Sequence, residues 1–536
     1  VVPRHLKKEK NKRERKNQKG LGMKNEPNVM FQAGTLTEKT RGAWRFAVAL
    51  AMLLIALCTL APPKHYGDFA EYALTTVALA DHASPAIRAP DAARGCALAP
   101  AWCGHFHTTE AGIDAGVEVP VPGLLRARGS YYTIHFFAYP ALAVLPFKLL
   151  PAFGIDPLRC FLVVNSAALF VLGLALLRLF GSARRAALGM LAYLLCGGML
   201  YWQWSSPECF SAASLLAGLI LFTTGAPVAG GVLAGLAATQ NPPIVFFCAC
   251  APLLRTCLAW RSGLSAWDNL RAMFGWRDVA GVSACAALFA LPLLFDLYIF
   301  GTPSIIGKIA TDISLVSSKR LFSFFFDLNQ GMVIGVPALA AALLSWRARG
   351  RAGWPLALAA AAFSVAMAVP SFSTQNWNSG AAGIMRYALW ASMPLLFAFL
   401  WRLKLAPRWP AALVVLVLAG QGFAMAHARG YTEVEFSPLA MRVMSTAPGW
   451  YNPEPEIFWE RVDHRESYPD LNRVVTWTVG GQATKTLYHT SNPSAALQLC
   501  GPDATLAPDN HYADADRGWR YINGPVRCTG TARQSN

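Results

Sequence analysis

The stretch that decides the fold is Trp44-Arg45-Phe46-Ala47-Val48-Ala49-Leu50-Ala51-Met52-Leu53-Leu54-Ile55-Ala56-Leu57-Cys58-Thr59-Leu60, followed by Pro62-Pro63 and then by Tyr66-Gly67-Asp68-Phe69-Ala70-Glu71-Tyr72-Ala73. In hydrocarbon a backbone must satisfy its own hydrogen bonds, so the apolar run reads as a helix. It approaches the ~20 residues that span a bilayer. No small-residue cleavage site clearly follows it, so it reads as a retained membrane helix. Asp68 and Glu71 lie three apart and share one face if a helix begins there. Acidic groups at a membrane boundary are costly to hold and are functional candidates for that reason.

The whole chain extends this reading. Of its 536 residues 54% are hydrophobic and 14% charged, against about 25% charged in a typical soluble domain. The net charge of +17 is distributed in a way that argues against a nucleic-acid partner. Residues 1–45 hold 13 Lys+Arg and 4 Asp+Glu, so 13 − 4 = +9. Much of the remainder lies in short loops between apolar runs, the pattern of the positive-inside rule. Residues 1–43 therefore read as a basic, disordered cytoplasmic arm suited to an anionic leaflet. Met23 and Met30 are alternative starts.

Residues 44–429 read as a multi-pass transmembrane domain. A long polar loop opens at Pro62, and residues 62–152 form the first periplasmic loop. Its end, Tyr131 to Pro151, is apolar but cut by Pro140, Pro146 and Pro151. Proline breaks a helix interior, so this part is expected as short interfacial helices. With that segment kept out of the bilayer, Arg178, Arg184 and Arg185 fall on the cytoplasmic side. So do Arg255, Arg261, Arg271 and Arg277, then Arg347, Arg349 and Arg351, then Arg402, Lys404 and Arg408. The alternation gives about eleven spans, the N-terminus cytoplasmic and the C-terminus periplasmic. Residues 430–536 are polar and rich in Trp, Tyr and Pro. Arg473–Val479 followed by Gly480-Gly481 reads as strand then turn, so a small α/β or β-rich periplasmic domain is expected.

The cysteines outside the apolar runs fall in two sets, Cys96 with Cys103 and Cys500 with Cys528. An oxidising compartment favours a disulfide within each set. Cys96, Cys103, His105 and His107 also have the composition of a zinc site.

Four motifs carry a resemblance. They are Gly67–Tyr72, the aromatic-proline segment Tyr131–Pro140, Phe326-Asp327-Leu328-Asn329-Gln330-Gly331, and Trp377 to Tyr387 with Arg386-Tyr387 at the start of an apolar run. In these and in layout the chain resembles the GT-C membrane glycosyltransferases, the class that includes bacterial protein O-mannosyltransferases and aminoarabinose transferases. The resemblance implies an all-α polytopic fold in the bacterial inner membrane. It implies sugar transfer from a polyprenyl-phosphate carrier to a cell-envelope acceptor (glycan, lipid or protein), with inversion at the anomeric carbon. Asp68 matches the family's acid and is expected to take the acceptor's proton. Arg386 is expected to grip the leaving phosphate, with Tyr387, Lys308, Lys319 and Arg320 as further substrate contacts. Glu71 and His135 are assigned to substrate binding. Gln240-Asn241 and Gln330 stand where relatives place basic residues. No cofactor is fixed by these motifs, and a divalent cation stays open. Two plainer readings stand beside these. Asp is a common helix N-cap, and a polytopic chain can be a transporter or lipid flippase. Transporters tend to bury charge mid-membrane, whereas here Asp296 is one of few ionisable residues in the apolar runs.

Overall fold

The computed structural model describes residues 33–117, 123–261, 263–273, 275–336, 339, 353–377, 380–406 and 411–530. The chain divides into two compact units, Val1–Ala49 and Leu50–Asn536. Of the first unit, the described part is helical and belongs to the helix Ala33–Leu60. That helix begins well before Trp44, so residues 33–43 are not the disordered arm expected. The rest of the arm lies outside the described residues.

The fold is mostly helical. Among the described residues, six helices are long and apolar enough to cross a membrane: Arg41–Leu60, Pro157–Phe180, Pro242–Ala259, Trp276–Phe300, Trp354–Ser371 and Arg386–Leu405. The sequence leads one to expect about eleven, and the difference has identifiable causes. Glu208–Thr223 and Pro227–Ala238 are apolar but shorter. The run before Ser205 is a broken helix, with a π-turn at Leu194–Gly198 where Gly197 takes φ 103°. Ala411–His427 has 17 residues. The expected span after Gly331 lies largely outside the described residues.

Short helices are viable here because protein surrounds them. Every residue of Glu208–Thr223 from Glu208 to Ile220 is buried, which makes it the core of the bundle. Trp276–Phe300, by contrast, exposes Leu291, Leu294, Leu297 and Tyr298. Where Pro227–Ala238 crosses Trp276–Phe300, a Cβ on Gly231 would overlap the Gly281 backbone. Small residues of this kind let membrane helices approach closely.

The first long loop holds helices Phe69–His82, Ala89–Leu98 and Cys103–Ala115. It then forms an antiparallel hairpin, β1 (Leu124–Ala127) with β2 (Ser130–Thr133), in register Leu124↔Thr133 and Ala127↔Ser130. This corrects the expectation that Tyr131 starts an interfacial helix. Arg128 and Gly129 both adopt positive φ, 50° and 77°, the requirement of a two-residue type I′ turn. Tyr131, Tyr132 and Thr133 are good strand formers. The helix starts later, at Ala138, and runs to Leu149 with Pro146 inside it. Pro140 sits in its first turn, where a missing N–H costs nothing.

After residue 430, helices Pro438–Thr446 and Pro455–Asp463 pack on a four-stranded antiparallel sheet. Its order is β3 (Val475–Val479), β4 (Gln482–His489), β7 (Trp519–Asn523), β6 (Tyr512–Asp514). The short strands β5 (Thr505–Leu506) and β8 (Cys528–Thr529) pair beside it. Phe436, Met444, Phe458, Trp459, Leu487 and Tyr521 fill the core between helices and sheet.

Two buried ionic networks join this region to the helical body. Arg461 grips both oxygens of Asp327, at 2.8 and 3.0 Å, and reaches Gln330 at 3.1 Å. Arg320 contacts Glu456 at 2.7 Å and Glu454 at 3.3 Å, and donates to the Phe372 and Thr374 carbonyls.

Candidate active site

The position of Asp68 is set by its neighbours in the chain. Arg159 donates to the carbonyls of Cys58 and Ala61 at 2.8 Å and so closes the C-terminal end of the first apolar helix. The following residues are tied across to the bundle by Lys64 N–H to the Gln203 carbonyl and Ser205 N–H to the Lys64 carbonyl. Asp68 then occupies the N-cap position of Phe69–His82, yet its side chain makes no cap bond. Its Oδ2 instead accepts from Arg386 Nη1 at 3.1 Å and lies 3.3 Å from His135 Nε2.

Glu71 shares the Asp68 face, as residues three apart on a helix do. Its Oε2 is 2.6 Å from His135 Nδ1. Arg386 opens the helix Arg386–Ala391. The turn before it is held by Tyr201 Oη, which donates to the Ile384 carbonyl and accepts from Ala381 N–H. Gln330 adds a bond to the Ala381 carbonyl, and its own carbonyl accepts from Met385 N–H. Arg386 Nη2 donates to Tyr387 Oη at 3.0 Å, while Nε has no partner among the described residues. Of these, Asp68, His135, Arg386 and Tyr387 line a cavity of about 460 Å³. Glu208, Trp390 and Tyr468 line it too.

Burial works to raise the Asp68 carboxyl, but the nearby His135 and Arg386 charges outweigh it and hold the group below its ordinary range. Burial would lower His135; the Asp68 and Glu71 carboxylates overcome it and push the imidazole up to about 9. Glu71 is raised, chiefly by burial.

The structure thus brings together Asp68, Glu71, His135, Arg386 and Tyr387. It does not bring in the other three expected contacts. Lys308 and Lys319 are exposed and do not line the cavity. Arg320 is fully buried and committed to Glu454 and Glu456, so the expectation of a phosphate contact there is corrected. Glu208, Trp390 and Tyr468 were not among the expected contacts. Glu208 had a signal, as an acid directly preceding an apolar run, whereas Tyr468 had none.

Cys96 is paired with Cys103 and Cys500 with Cys528. Cys96, Cys103 and His107 also cluster closely enough to hold a metal ion, with His107 Nε2 3.7 Å from Cys96 Sγ. Sulfurs joined in a disulfide offer no thiolate to a metal. His105 turns away, its ring 5.1 Å from that of Trp102. No known protein family, curated protein or solved structure matches this chain.

Proposed function

We propose that this chain is a membrane glycosyltransferase of the GT-C type. It moves a sugar from a polyprenyl-phosphate carrier to a hydroxyl acceptor of the cell envelope, on the outer face of a bacterial inner membrane. The reading includes about eleven spans, a cytoplasmic N-terminus and a periplasmic C-terminal domain. The observation that carries it is the meeting of Asp68 and Arg386. They lie 318 positions apart in the chain and 3.1 Å apart in a cavity beside helices apolar enough to enter a membrane.

The chemistry follows from these two groups. The acceptor hydroxyl gives its proton to the Asp68 carboxylate as its oxygen bonds to the anomeric carbon. The bond from that carbon to the phosphate oxygen breaks, and its electron pair leaves on the polyprenyl phosphate. Arg386 stabilises the charge that develops there, the largest single term in many such sites. A phosphate competes with Asp68 for the same guanidinium fork. Donor binding therefore draws Arg386 off Oδ2 and frees the base when it is needed.

A divalent cation needs several oxygens converging on one point. The His135 ring stands between the Asp68 and Glu71 carboxylates, and Arg386 occupies Asp68 Oδ2. These residues do not fit a cation, and no step is routed through one. The flippase alternative gains nothing from Asp296, which accepts from Ile305 N–H at 3.0 Å and lies outside the cavity lining.

The test uses purified protein in nanodiscs, a panel of polyprenyl-phosphate-linked sugars and a mixture of envelope acceptors. Wild type should transfer at least one sugar, and Asp68→Asn should lower the rate by about 10²–10⁴-fold. Full activity in that variant overturns the assignment.

A further inference from the structure

Asp68 needs something to hold its carboxylate once donor phosphate draws Arg386 away. His135 meets that need. It lies just past β2, and the chain is fastened on either side of it. Thr133 Oγ1 donates to the His135 carbonyl at 3.4 Å, and Gln240 Nε2 donates to the Phe136 carbonyl at 3.1 Å. The Tyr72 ring lies against the imidazole, centroids 5.5 Å apart.

Both ring nitrogens face carboxylate oxygens, Nε2 toward Asp68 at 3.3 Å and Nδ1 toward Glu71 at 2.6 Å. A neutral imidazole carries one N–H and can donate from one nitrogen only; an imidazolium donates from both. Two acceptors on opposite sides of one ring therefore select the charged form. The charged groups acting on the ring are Asp68 from the loop, Glu71 from the helix Phe69–His82 and Arg386 from the helix Arg386–Ala391. Two carboxylates outweigh one guanidinium.

We propose that His135 is a positioning residue: as an imidazolium bridging Glu71 and Asp68, it fixes the base for the acceptor hydroxyl, and neither His135 nor Glu71 touches the sugar. This rests on Asp68 acting as the base. The bridge and Arg386 both use Oδ2, and Oδ1 has no hydrogen-bond partner among the described residues. With the folded pKa raised from 6.5 to about 9, the bridge is fully present below pH ~6.5 and is lost as pH rises through about 9.

Two readouts on the same nanodisc protein test this. The first is the pH profile of sugar transfer with saturating polyprenyl-phosphate sugar. Wild type should hold its rate up to about pH 9 and then fall. Glu71→Gln should move that fall toward the ordinary histidine value of about 6.5. His135→Gln should abolish the alkaline fall, lower kcat by about 10- to 100-fold and leave donor KM within about twofold. A rise in donor KM at unchanged kcat in His135→Gln overturns the proposal, because it makes His135 a sugar ligand.

The second readout is the thermal midpoint against pH, which needs no activity. Wild type should lose stability between about pH 6.5 and 9, and both variants should flatten that slope. If no enzyme transfers sugar while the slope behaves this way, the glycosyltransferase reading fails and the bridge stands. If the slope is the same in wild type and both variants, the bridge is overturned.

Discussion

Two of this molecule's Asp–Arg pairs, Asp327–Arg461 and Asp68–Arg386, differ in a telling way. Asp327–Arg461 is fully buried, with both carboxylate oxygens gripped by the guanidinium and Tyr451 Oη donating to the same carboxylate. Asp68–Arg386 has a similar distance, but its side chains are 23% and 18% exposed and Arg386 Nε is unpartnered. The first pair has nothing left to offer a ligand. The second keeps a donor in reserve beside a cavity. Saturation of hydrogen bonding, more than the presence of an ion pair, separates the clamp from the site.

The sharpest way to break this comparison is to neutralise each aspartate. Asp68→Asn should cost about 10²–10⁴-fold in transfer with a smaller loss of thermal midpoint than Asp327→Asn, because its pair is partly exposed. Asp327→Asn leaves Arg461 buried without its counter-charge and should destabilise by about 3–5 kcal/mol, read as a lower midpoint or loss of folded protein from membranes. If the two variants behave alike, the distinction fails. Next in size, Arg386→Lys keeps the charge but loses the fork, and a fall of about tenfold in transfer is expected because Lys grips phosphate as a point charge. Removing the Cys500–Cys528 bridge by Cys→Ser exchange should lower stability by about 2–4 kcal/mol in an unfolding assay without changing kcat. Smallest of all, Lys308→Ala should leave transfer within about twofold, as an exposed charge away from the reacting groups. A larger effect there would return Lys308 to the site.

What could be read from the sequence is what depends on neighbours in the chain. Asp68 and Glu71 share a face because of helical spacing, and Gly480-Gly481 turns β3 into β4. The Cys96–Cys103 and Cys500–Cys528 bridges join residues near one another in the chain. Arg386 stood out as a cation at the start of an apolar run. What escaped depends on distant partners. Arg320 looked like any loop cation because Glu454 and Glu456 lie more than 130 positions away. Gln330 and Gln240 read as lost phosphate ligands, but they fasten the segments that carry Arg386 and His135. The β1–β2 hairpin was hidden by the prolines after it, which drew Tyr131–Thr133 into the wrong element. The runs at Glu208–Thr223 and Pro227–Ala238 were legible as apolar helices, but their shortness was not, since helix length depends on what surrounds it.

The cavity wall is drawn from far apart along the chain, from Asp68 to Tyr468, and Glu466 beside Tyr468 accepts from Asn376 at 3.1 Å. During synthesis the earlier walls are made long before this last one. A ribosome that has passed Asp68 has built a carboxylate without the Arg386 counter-charge, and one that has passed Arg386 has built a pocket still without Tyr468. The site becomes whole only after Tyr468 has left the ribosome, so a stalled chain carries the acid without the enclosure that gives it work.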